Sequence, residues 1–300
     1  QLDHPLRSSN NSTLRSGVVD LLRNGHTVRR DSNIVFVCGG NSQDSMRSRF
    51  EHYVRSEMSD FLFFKPESAM ENYFISGDDE PFNIADFENL VGKLSHSIIL
   101  FPEAPGSFAE LGYFSVVSEL SSKTVLVMDP ERQMNDSFIS LGPAFNFDQN
   151  SVFRPTIWTS YVSPNFDLIR NRLLQRRPLS ERRHAPNFDA YSSVSEYDLF
   201  ALIYELVRFL QAATFEDIQF ILRAVFSGAS APSRVHKIIS ILVGAGRLEE
   251  IGDLGHLRTR SDYRFFAVRD GFREQSNALR IETARITQEV PELRNIIGAV

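Results

Sequence analysis

From residue 33 to residue 177 the apolar positions follow a regular alternation. Short runs of β-branched and aromatic residues are each followed by a longer segment with its apolar residues on one helical face, which is typical of a parallel sheet covered by helices. The predicted strands are residues 34–37, 61–64, 97–101, 124–128 and 156–161. The predicted helices are residues 46–57, 82–94, 107–120, about 137–145 and 164–176. We therefore predict an α/β fold with a Rossmann-like parallel sheet and helices on both faces.

The pattern changes after this region. Residues 195–211, 214–226 and 232–244 predict three amphipathic helices, and residues 247–251 and 263–268 predict two strands around a polar loop. Three helices followed by a β-ribbon is the order of a winged helix, so we predict a mainly α winged-helix domain. The predicted divisions are an N-terminal arm (1–31, with a short helix at 14–22), the α/β domain (32–177), a linker (178–194), the winged-helix-like domain (195–272) and a C-terminal helical tail (273–300).

Composition excludes several classes of protein. The single cysteine among the 300 residues, Cys38, excludes a disulfide framework and a multi-cysteine zinc site, and the seven histidines show no metal-ligand spacing. The sequence lacks an apolar run of membrane-spanning length, and residues 1–30 lack the apolar core of a signal peptide, so we expect a cytoplasmic protein. The net charge of −6 argues against a general nucleic-acid coat protein.

The most informative segment is residues 96–115, HSIILFPEAPGSFAELGYFS. An apolar strand runs into a Pro/Gly turn and then a helix, which is where open α/β sheets place their ligands. Glu110, in the first turn of the predicted helix, would lie at the mouth of that crevice. A carboxylate there attacks or stabilises the C1′ carbon of a sugar, so we predict that Glu110 is catalytic in cleaving an N-glycosidic bond. Ser107-x-x-Glu110 also has the spacing of a capping box, and that purely structural interpretation stays open.

A second segment, CGGNS after the first strand, has the features of a phosphate cradle. Glycines let backbone N–H groups approach a ligand, the following helix N-terminus favours an anion, and Arg47 neutralises a phosphate. The dinucleotide fingerprint G-x-G-x-x-G is absent, which disfavours nicotinamide redox chemistry. A tight turn and solvated surface acids are the structural alternatives. The predicted substrate-binding residues are Gly39, Gly40, Asn41, Ser42, Arg47, Glu67, Glu88, Glu103, Gly106, Ser107 and Ser137.

Four segments carry a family resemblance: IVFVCGG, FFKPES, the block IILFPEAPGSFAELGYFS and SFISLGP. Over about residues 33–143 the chain resembles the nucleoside deoxyribosyltransferase-like effectors of bacterial retrons, and beyond that only by architecture. The resemblance places the family's catalytic glutamate on Glu110. The transferases usually have an aspartate where this chain has Ala104, and Glu103 is one position away, so hydrolysis is favoured over base exchange. The Pro-Gly turn also resembles phosphoribohydrolases of the lysine-decarboxylase-like fold, whose longer glycine signature is missing.

The resemblance implies a toxin of an antiviral system. Its partners would be a retron reverse transcriptase and the multicopy single-stranded DNA–RNA hybrid, and it would form a homo-oligomer with a shared pocket. We expect no cofactor, with NAD or a related nucleotide as substrate, because nicotinamide leaves as a neutral molecule. A nucleotide-sensing module without catalysis is the alternative. The residues predicted to contact nucleic acid or a partner are Arg176, Arg177, Arg182, Arg183, Arg234, His236 and Lys237.

Overall fold

The protein is described by a computed structural model. The described residues are 2–29, 33–59, 61–64, 84–132, 137–176, 183–252, 254–260 and 263–298. They form two compact units. The sheet unit contains the described residues from 33 to 64 and from 84 to 176, and the helical unit contains those from 2 to 29 and from 183 to 298.

Five parallel strands form the centre of the sheet unit. With strands numbered along the whole chain, they are β2 (Ile34–Cys38), β3 (Leu62–Phe64), β4 (Ser97–Leu100), β5 (Thr124–Met128) and β6 (Ile157–Trp158). Their order in the sheet is β3-β2-β4-β5-β6, and every neighbouring pair is parallel. The predicted α/β class and parallel sheet are confirmed. In this order the chain reverses direction across the sheet between β2 and β4, and such a switch point is where doubly wound sheets bind ligands at the carboxyl ends of their strands.

Helices cover both faces of the sheet. They are α2 (Met46–Glu57), α3 (Ile84–Leu94), α4 (Pro105–Val116), α5 (Ser118–Ser121), α6 (Phe145–Asn150) and α7 (Asp167–Gln175), with a π-helical turn at Ser140–Ala144. On one face Val37 and Ile99 pack with Phe50 of α2 and Ile169 of α7. On the other face α3 lies so close that a Cβ on Gly92 would meet Ile98 Cδ1 at 3.4 Å.

Several element boundaries differ from those predicted. The helix predicted at 107–120 begins at Pro105, because proline is preorganised for the first helical position, and it ends at Val116 before a separate short helix. The helix predicted near 137–145 contains the π-helical turn and continues as α6. The strand predicted at 156–161 is reduced to two residues.

The helical unit is built around one buried helix, α8 (Glu196–Leu210), whose residues are buried on nearly every side. The other helices are α1 (Ser12–Asn24), α9 (Phe215–Val225), α10 (Pro232–Gly244), α11 (Arg273–Gln288) and α12 (Pro291–Gly298). The helix α9 begins with a capping box, since Thr214 Oγ1 accepts from the Asp217 N–H at 3.2 Å and Asp217 Oδ2 accepts from the Thr214 N–H at 3.0 Å.

The strands of the helical unit pair differently from the prediction. They are β1 (His26–Arg29), β7 (Arg183–His184), β8 (Leu248–Ile251), β9 (His256–Thr259) and β10 (Phe266–Val268). The ribbon predicted between 247–251 and 263–268 is wrong, because β8 forms a hairpin with β9 and β10 instead pairs with β1. A short polar strand such as β9 has little apolar periodicity, so the sequence pattern does not predict it. Its pairing with β8 is determined by tertiary contacts.

Two segments predicted to be peripheral are packed into this unit. The predicted N-terminal arm supplies β1, the central strand of a three-stranded sheet between β10 and β7. The described part of the predicted linker, from residue 183, contains β7 and buries Phe188, Tyr191 and Val194. The winged-helix assignment stays a prediction, supported by three helices followed by a hairpin.

None of the helices in the described part of the chain is long and apolar enough to cross a membrane.

Candidate functional site

The candidate site lies where β2 and β4 end side by side. Cys38 and Leu100, the last residues of the two strands, are in register, and the Phe101 N–H donates to the Cys38 carbonyl at 3.0 Å. The loops that follow carry the CGGNS and PEAPGS segments. The apolar runs of the sequence form the two strands. The order of the strands in the sheet then places their two loops side by side at the switch point.

Glu103 joins the two loops. Its carboxylate accepts hydrogen bonds from the Gly40 N–H at 2.8 Å, the Met46 N–H at 2.7 Å and the Arg47 N–H at 3.3 Å. The last two donors belong to the first turn of α2, which attracts anions through its free N–H groups and its dipole. The anion site predicted for a phosphate is therefore occupied by a carboxylate of the protein, and Glu103 acts here as a cross-link between loops.

The two glycines are close to this cross-link. A Cβ on Gly39 would lie 2.9 Å from Arg47 Cβ and 2.9 Å from Glu103 Oε1, and a Cβ on Gly40 would lie 3.2 Å from Ser45 Cβ. The Arg47 side chain is buried and donates to the Asn41 side-chain oxygen. Glycine is thus required for close packing at this turn.

Ser107 stabilises the second loop. Its hydroxyl accepts from the Glu103 and Ala104 N–H groups, both at 3.0 Å. It is buried at the third position of α4 rather than preceding the helix. The capping box considered for Ser107 and Glu110 is therefore wrong, because Ser107 closes its own turn and Glu110 lies beyond the first turn of α4.

Glu110 and Glu88 both act on the thiol of Cys38. The Cys38 side chain is fully buried at the end of β2. Burial raises the pKa of the Cys38 thiol well above its usual value, and the charges of Glu110 and then Glu88 raise it further, whereas Arg47 lowers it. The structure thus brings together Cys38 of β2, Glu88 of α3 and Glu110 of α4. Two carboxylates close to one buried group are characteristic of functional sites more than of structural ones.

Two further residues of this edge, Ser45 and Asp129, were not predicted from the sequence. Ser45 is the N-cap of α2, where its hydroxyl accepts from the Ser48 N–H at 3.2 Å and donates to the Gly40 carbonyl at 2.8 Å. Asp129 follows β5 directly, is fully buried, and acts with Glu103 to raise the pKa of Tyr161, after the larger effect of burial. An acid directly after a buried strand was a signal available in the sequence.

The remaining predicted substrate-binding residues are placed less tightly. Asn41 and Ser42 are exposed, and Gly106 faces open space. Ser137 caps the next helical segment by accepting from the Ser140 N–H at 3.2 Å. Glu67 lies outside the described residues. Among the residues that the structure describes, no group of three His, Cys, Asp or Glu side chains is arranged to hold a metal ion.

Comparison with known protein families identifies the family to which the chain belongs. The model of the family described as "STM3845 retron effector protein" matches residues 43–250, which is more than half of the chain. The chain belongs to this retron effector family. The match spans α2, the PEAPGS loop and Glu110, and continues through α8, α9 and α10 of the helical unit.

Two curated relatives, both from Escherichia coli, carry related names. "Retron Ec86 putative ribosyltransferase/DNA-binding protein" is 33% identical over 142 residues, which is 43% of this chain and 45% of that protein. "Retron Ec73 putative ribosyltransferase/DNA-binding protein" is 29% identical over 123 residues, which is 39% of this chain and 38% of that protein. The chain thus matches less than half of the length of either relative.

In this retron effector the basic residues predicted to contact nucleic acid or a partner protein differ in their contacts and in their exposure. Arg234 donates to Glu196 at 3.0 Å and to the carbonyls of Val194 and Tyr191 at 2.8 and 3.1 Å, so its guanidinium stabilises the helical unit itself. The His236 ring packs on Phe215 with their centroids 4.9 Å apart. Arg176 and Arg183 are exposed, Lys237 is partly exposed, and Arg177 and Arg182 lie outside the described residues.

The phenylalanines near the site fall into two groups. Phe114 and Phe147 belong to the core of the effector. Phe138 is 85% exposed, Phe145 is 54% exposed and Phe108 is 37% exposed. The helix α4, the π-helical turn and α6 contact one another, so these three rings lie on neighbouring elements of the sheet unit.

Proposed function

We propose that this retron effector cleaves an N-glycosidic bond, with NAD or a related nucleotide as substrate and Glu110 as the catalytic carboxylate. The observation that supports it most directly is the position of Glu110 beside the switch point of the sheet, where its charge and that of Glu88 raise the pKa of the buried Cys38 thiol. The names of the two relatives include ribosyl transfer, which also acts at the C1′ carbon of a ribose.

The chemistry follows from where charge develops. As the bond to the base breaks, C1′ acquires oxocarbenium character, and a carboxylate close to it stabilises that charge or forms a glycosyl intermediate that water then hydrolyses. The pyridinium of NAD departs as neutral nicotinamide, so no acid has to protonate it. Water supplies a hydroxyl group to C1′, and its remaining proton goes to solvent.

We propose hydrolysis rather than base exchange. Ala104 stands where nucleoside deoxyribosyltransferases usually carry an aspartate, and the neighbouring Glu103 is committed to three backbone N–H groups. A carboxylate already holding two loops is poorly placed to exchange protons with a leaving base. Ribose hydroxyls would then be bound by groups other than Glu103, with Glu88 as the predicted candidate.

The assay that tests this proposal measures release of nicotinamide or base from NAD, nucleotides and nucleosides by the purified protein. Glu110→Gln should lower turnover by about 10²- to 10³-fold or more, because it removes the charge that stabilises the transition state. The fold should be retained, since Ser107 and not Glu110 closes the first turn of α4. Glu119→Gln, an exposed glutamate of the adjacent helix, is the matched control.

A folded Glu110→Gln variant with full turnover would overturn the assignment of Glu110. Tight nucleotide binding without turnover in every variant would instead indicate a sensing module, the other function considered from the sequence.

We also propose that a retron reverse transcriptase and its DNA–RNA product hold the effector inactive, and that the effector works as a homo-oligomer. Membership of the family supports the first proposal. The exposed rings of Phe108, Phe138 and Phe145 support the second, because clustered apolar surface often marks an interface. Light scattering of wild type and Phe138→Glu measures the oligomer, and a wild-type monomer that stays active on dilution would contradict a shared site.

A further inference from the structure

The loop after β5 lies beside the loop that carries Glu103. Leu100 of β4 and Leu126 of β5 are register partners in parallel strands, so Glu103 and Asp129, each three residues further on, follow the ends of adjacent strands. Neighbouring strands are about 4.8 Å apart, and β5 lies two strands from β2, a separation of about 10 Å. A single nucleotide bound at the switch point is therefore long enough to reach the β5 loop.

Asp129 forms a tight turn that fixes the position of Arg132. The Asp129 side chain is buried, and its Oδ1 atom accepts from the Glu131 N–H at 3.1 Å. Its backbone carbonyl accepts from the Arg132 N–H at 3.3 Å, and Pro130 stands at the second position of the turn, which its fixed φ favours. The Asp129 Oδ2 atom lies 3.3 Å from Arg132 Nε, while the Arg132 side chain remains 63% exposed. This ion pair orients the arginine without covering it.

Four carboxylates act on two buried side chains of this edge, Cys38 and Tyr161. The phosphates of a nucleotide are anionic, so a nucleotide needs a cation at the same edge. Arg47 and Arg132 are two cations whose charges oppose those of the carboxylates. Arg47 is buried and bound to a side chain of its own loop, and the first N–H groups of α2 are bound to Glu103. Arg132 is the exposed one of the two arginines, and a phosphate can reach it.

We propose that Arg132 binds a phosphate of the substrate and that Asp129 is its positioning residue, so that the site takes a nucleotide in preference to the corresponding nucleoside. This inference rests on the proposed cleavage of an N-glycosidic bond and concerns the part of the substrate that lies away from that bond. A guanidinium presents paired N–H donors to two phosphate oxygens, and such charged hydrogen bonds are stronger than neutral ones. With Nε directed at Asp129, the terminal Nη1 and Nη2 groups would bind the phosphate.

The phosphate contact is tested by binding of ribose 5-phosphate, which has no N-glycosidic bond to cleave. Titration calorimetry should show binding to the wild type that is about 10- to 100-fold weaker in Arg132→Gln, because charged hydrogen bonds are lost, with Arg132→Lys between the two. The matched control is Arg55→Gln, an exposed arginine in the last turn of α2, whose affinity should equal that of the wild type. Ribose 5-phosphate that binds the wild type no better than ribose, or that binds Arg132→Gln as tightly as the wild type, would overturn the inference.

The preference for a nucleotide is tested by turnover. Nicotinamide mononucleotide and nicotinamide riboside contain the same N-glycosidic bond and differ by one phosphate. The ratio of their kcat/KM values should fall by about 10- to 100-fold in Arg132→Gln and stay unchanged in Arg55→Gln. An unchanged ratio in a folded Arg132→Gln variant would overturn the role of Arg132 while Glu110 remains catalytic. Full turnover by Glu110→Gln would overturn the assignment of Glu110, and the binding of ribose 5-phosphate would still decide the phosphate contact.

The positioning role of Asp129 is tested by a double-mutant cycle. Asp129→Asn keeps an oxygen acceptor for the Glu131 N–H but removes the charge that holds Arg132. It should weaken the binding of ribose 5-phosphate in the wild type and have no further effect in Arg132→Gln, because the two residues act through one contact. Additive losses would overturn the positioning role. If Asp129→Asn does not fold, Asp129→Glu, which places the charge on a longer side chain, takes its place in the same cycle with the same expected outcome.

Discussion

The buried charged groups of the two units have different neighbours. In the helical unit Glu205 is only 1% exposed, and Arg208 and Arg280 both bind its carboxylate. In the sheet unit two carboxylates, Glu88 and Glu110, act on one buried thiol. Loss of one partner of a buried ion pair destabilises a fold, so Glu205 has a structural role. Titratable groups that perturb one another at the carboxyl ends of strands instead favour a functional role for the second cluster.

The largest effect on stability should come from the helical unit. Glu205→Ala should lower the free energy of unfolding by about 3–5 kcal/mol, because it leaves the partly buried Arg280 guanidinium without its carboxylate. Glu282→Ala is the matched control, since Glu282 also binds an arginine three residues away in a helix but is exposed, and its unfolding midpoint should be almost unchanged. Equal effects of the two variants in urea titrations would remove the distinction between buried and exposed pairs.

Acid should weaken the helical unit through His4. Its Nδ1 atom accepts from the Leu6 N–H at 3.1 Å, and its Nε2 atom lies 3.2 Å from the Leu210 carbonyl and 3.1 Å from Thr287 Oγ1. Burial lowers the pKa of His4 from 6.5 to about 4, against the opposing charge of Asp217 and with a smaller lowering effect of His256.

The unfolded chain therefore binds the proton more readily, and the free energy of unfolding should fall as the pH drops from 6.5 toward 4, by at most about 3 kcal/mol. Burial also lowers the pKa of His26 and His256, so part of the slope should remain in His4→Gln. Urea titrations of the two proteins across this range measure the difference, and equal slopes would contradict the role of His4.

The smallest effect should come from the glycine turn of the sheet unit. Gly39→Ala should cost about 1–3 kcal/mol and lower activity, because the new Cβ would lie 2.9 Å from both Arg47 Cβ and Glu103 Oε1. Gly112→Ala adds the same atom to α4, where nothing lies within 4 Å, and should lower neither property. Thermal unfolding and the glycosidase assay compare them, and a harmless Gly39→Ala would show that the turn tolerates a side chain.

Predictions succeeded where local residues define an element and failed where distant pairing does. The helices 46–57 and 232–244 and the strand 124–128 were predicted with the bounds that the structure has. Each is marked by its own residues, with Ser45 or Pro232 at a helix start and an unbroken apolar run in the strand. The predicted ribbon failed because its strands are short and half polar, so pairing with a distant strand decided their place.

In the candidate site the sequence indicated the right segments and assigned some residues the wrong role. Glu103 was predicted to bind the substrate, yet its carboxylate accepts from the Gly40 and Met46 N–H groups and joins two loops. Ser107 was considered as a partner of Glu110, yet it bonds to Glu103 and Ala104. Carboxylates and hydroxyl groups near a strand end have many hydrogen-bond donors within reach. Only the three-dimensional structure shows which of these donors they bind.

By itself the sequence determined the alternation of strand and helix, the strand ends that carry CGG and PEAPGS, and the presence of a carboxylate at Glu110, because periodicity and turn chemistry act over a few neighbouring residues. Only the tertiary structure decided that β2 and β4 are neighbours, that Glu103 fills the anion site of α2, and that the charges of Glu110 and Glu88 act on the buried Cys38 thiol. Those contacts join residues far apart in the chain, and their distances depend on how the helices pack on the sheet.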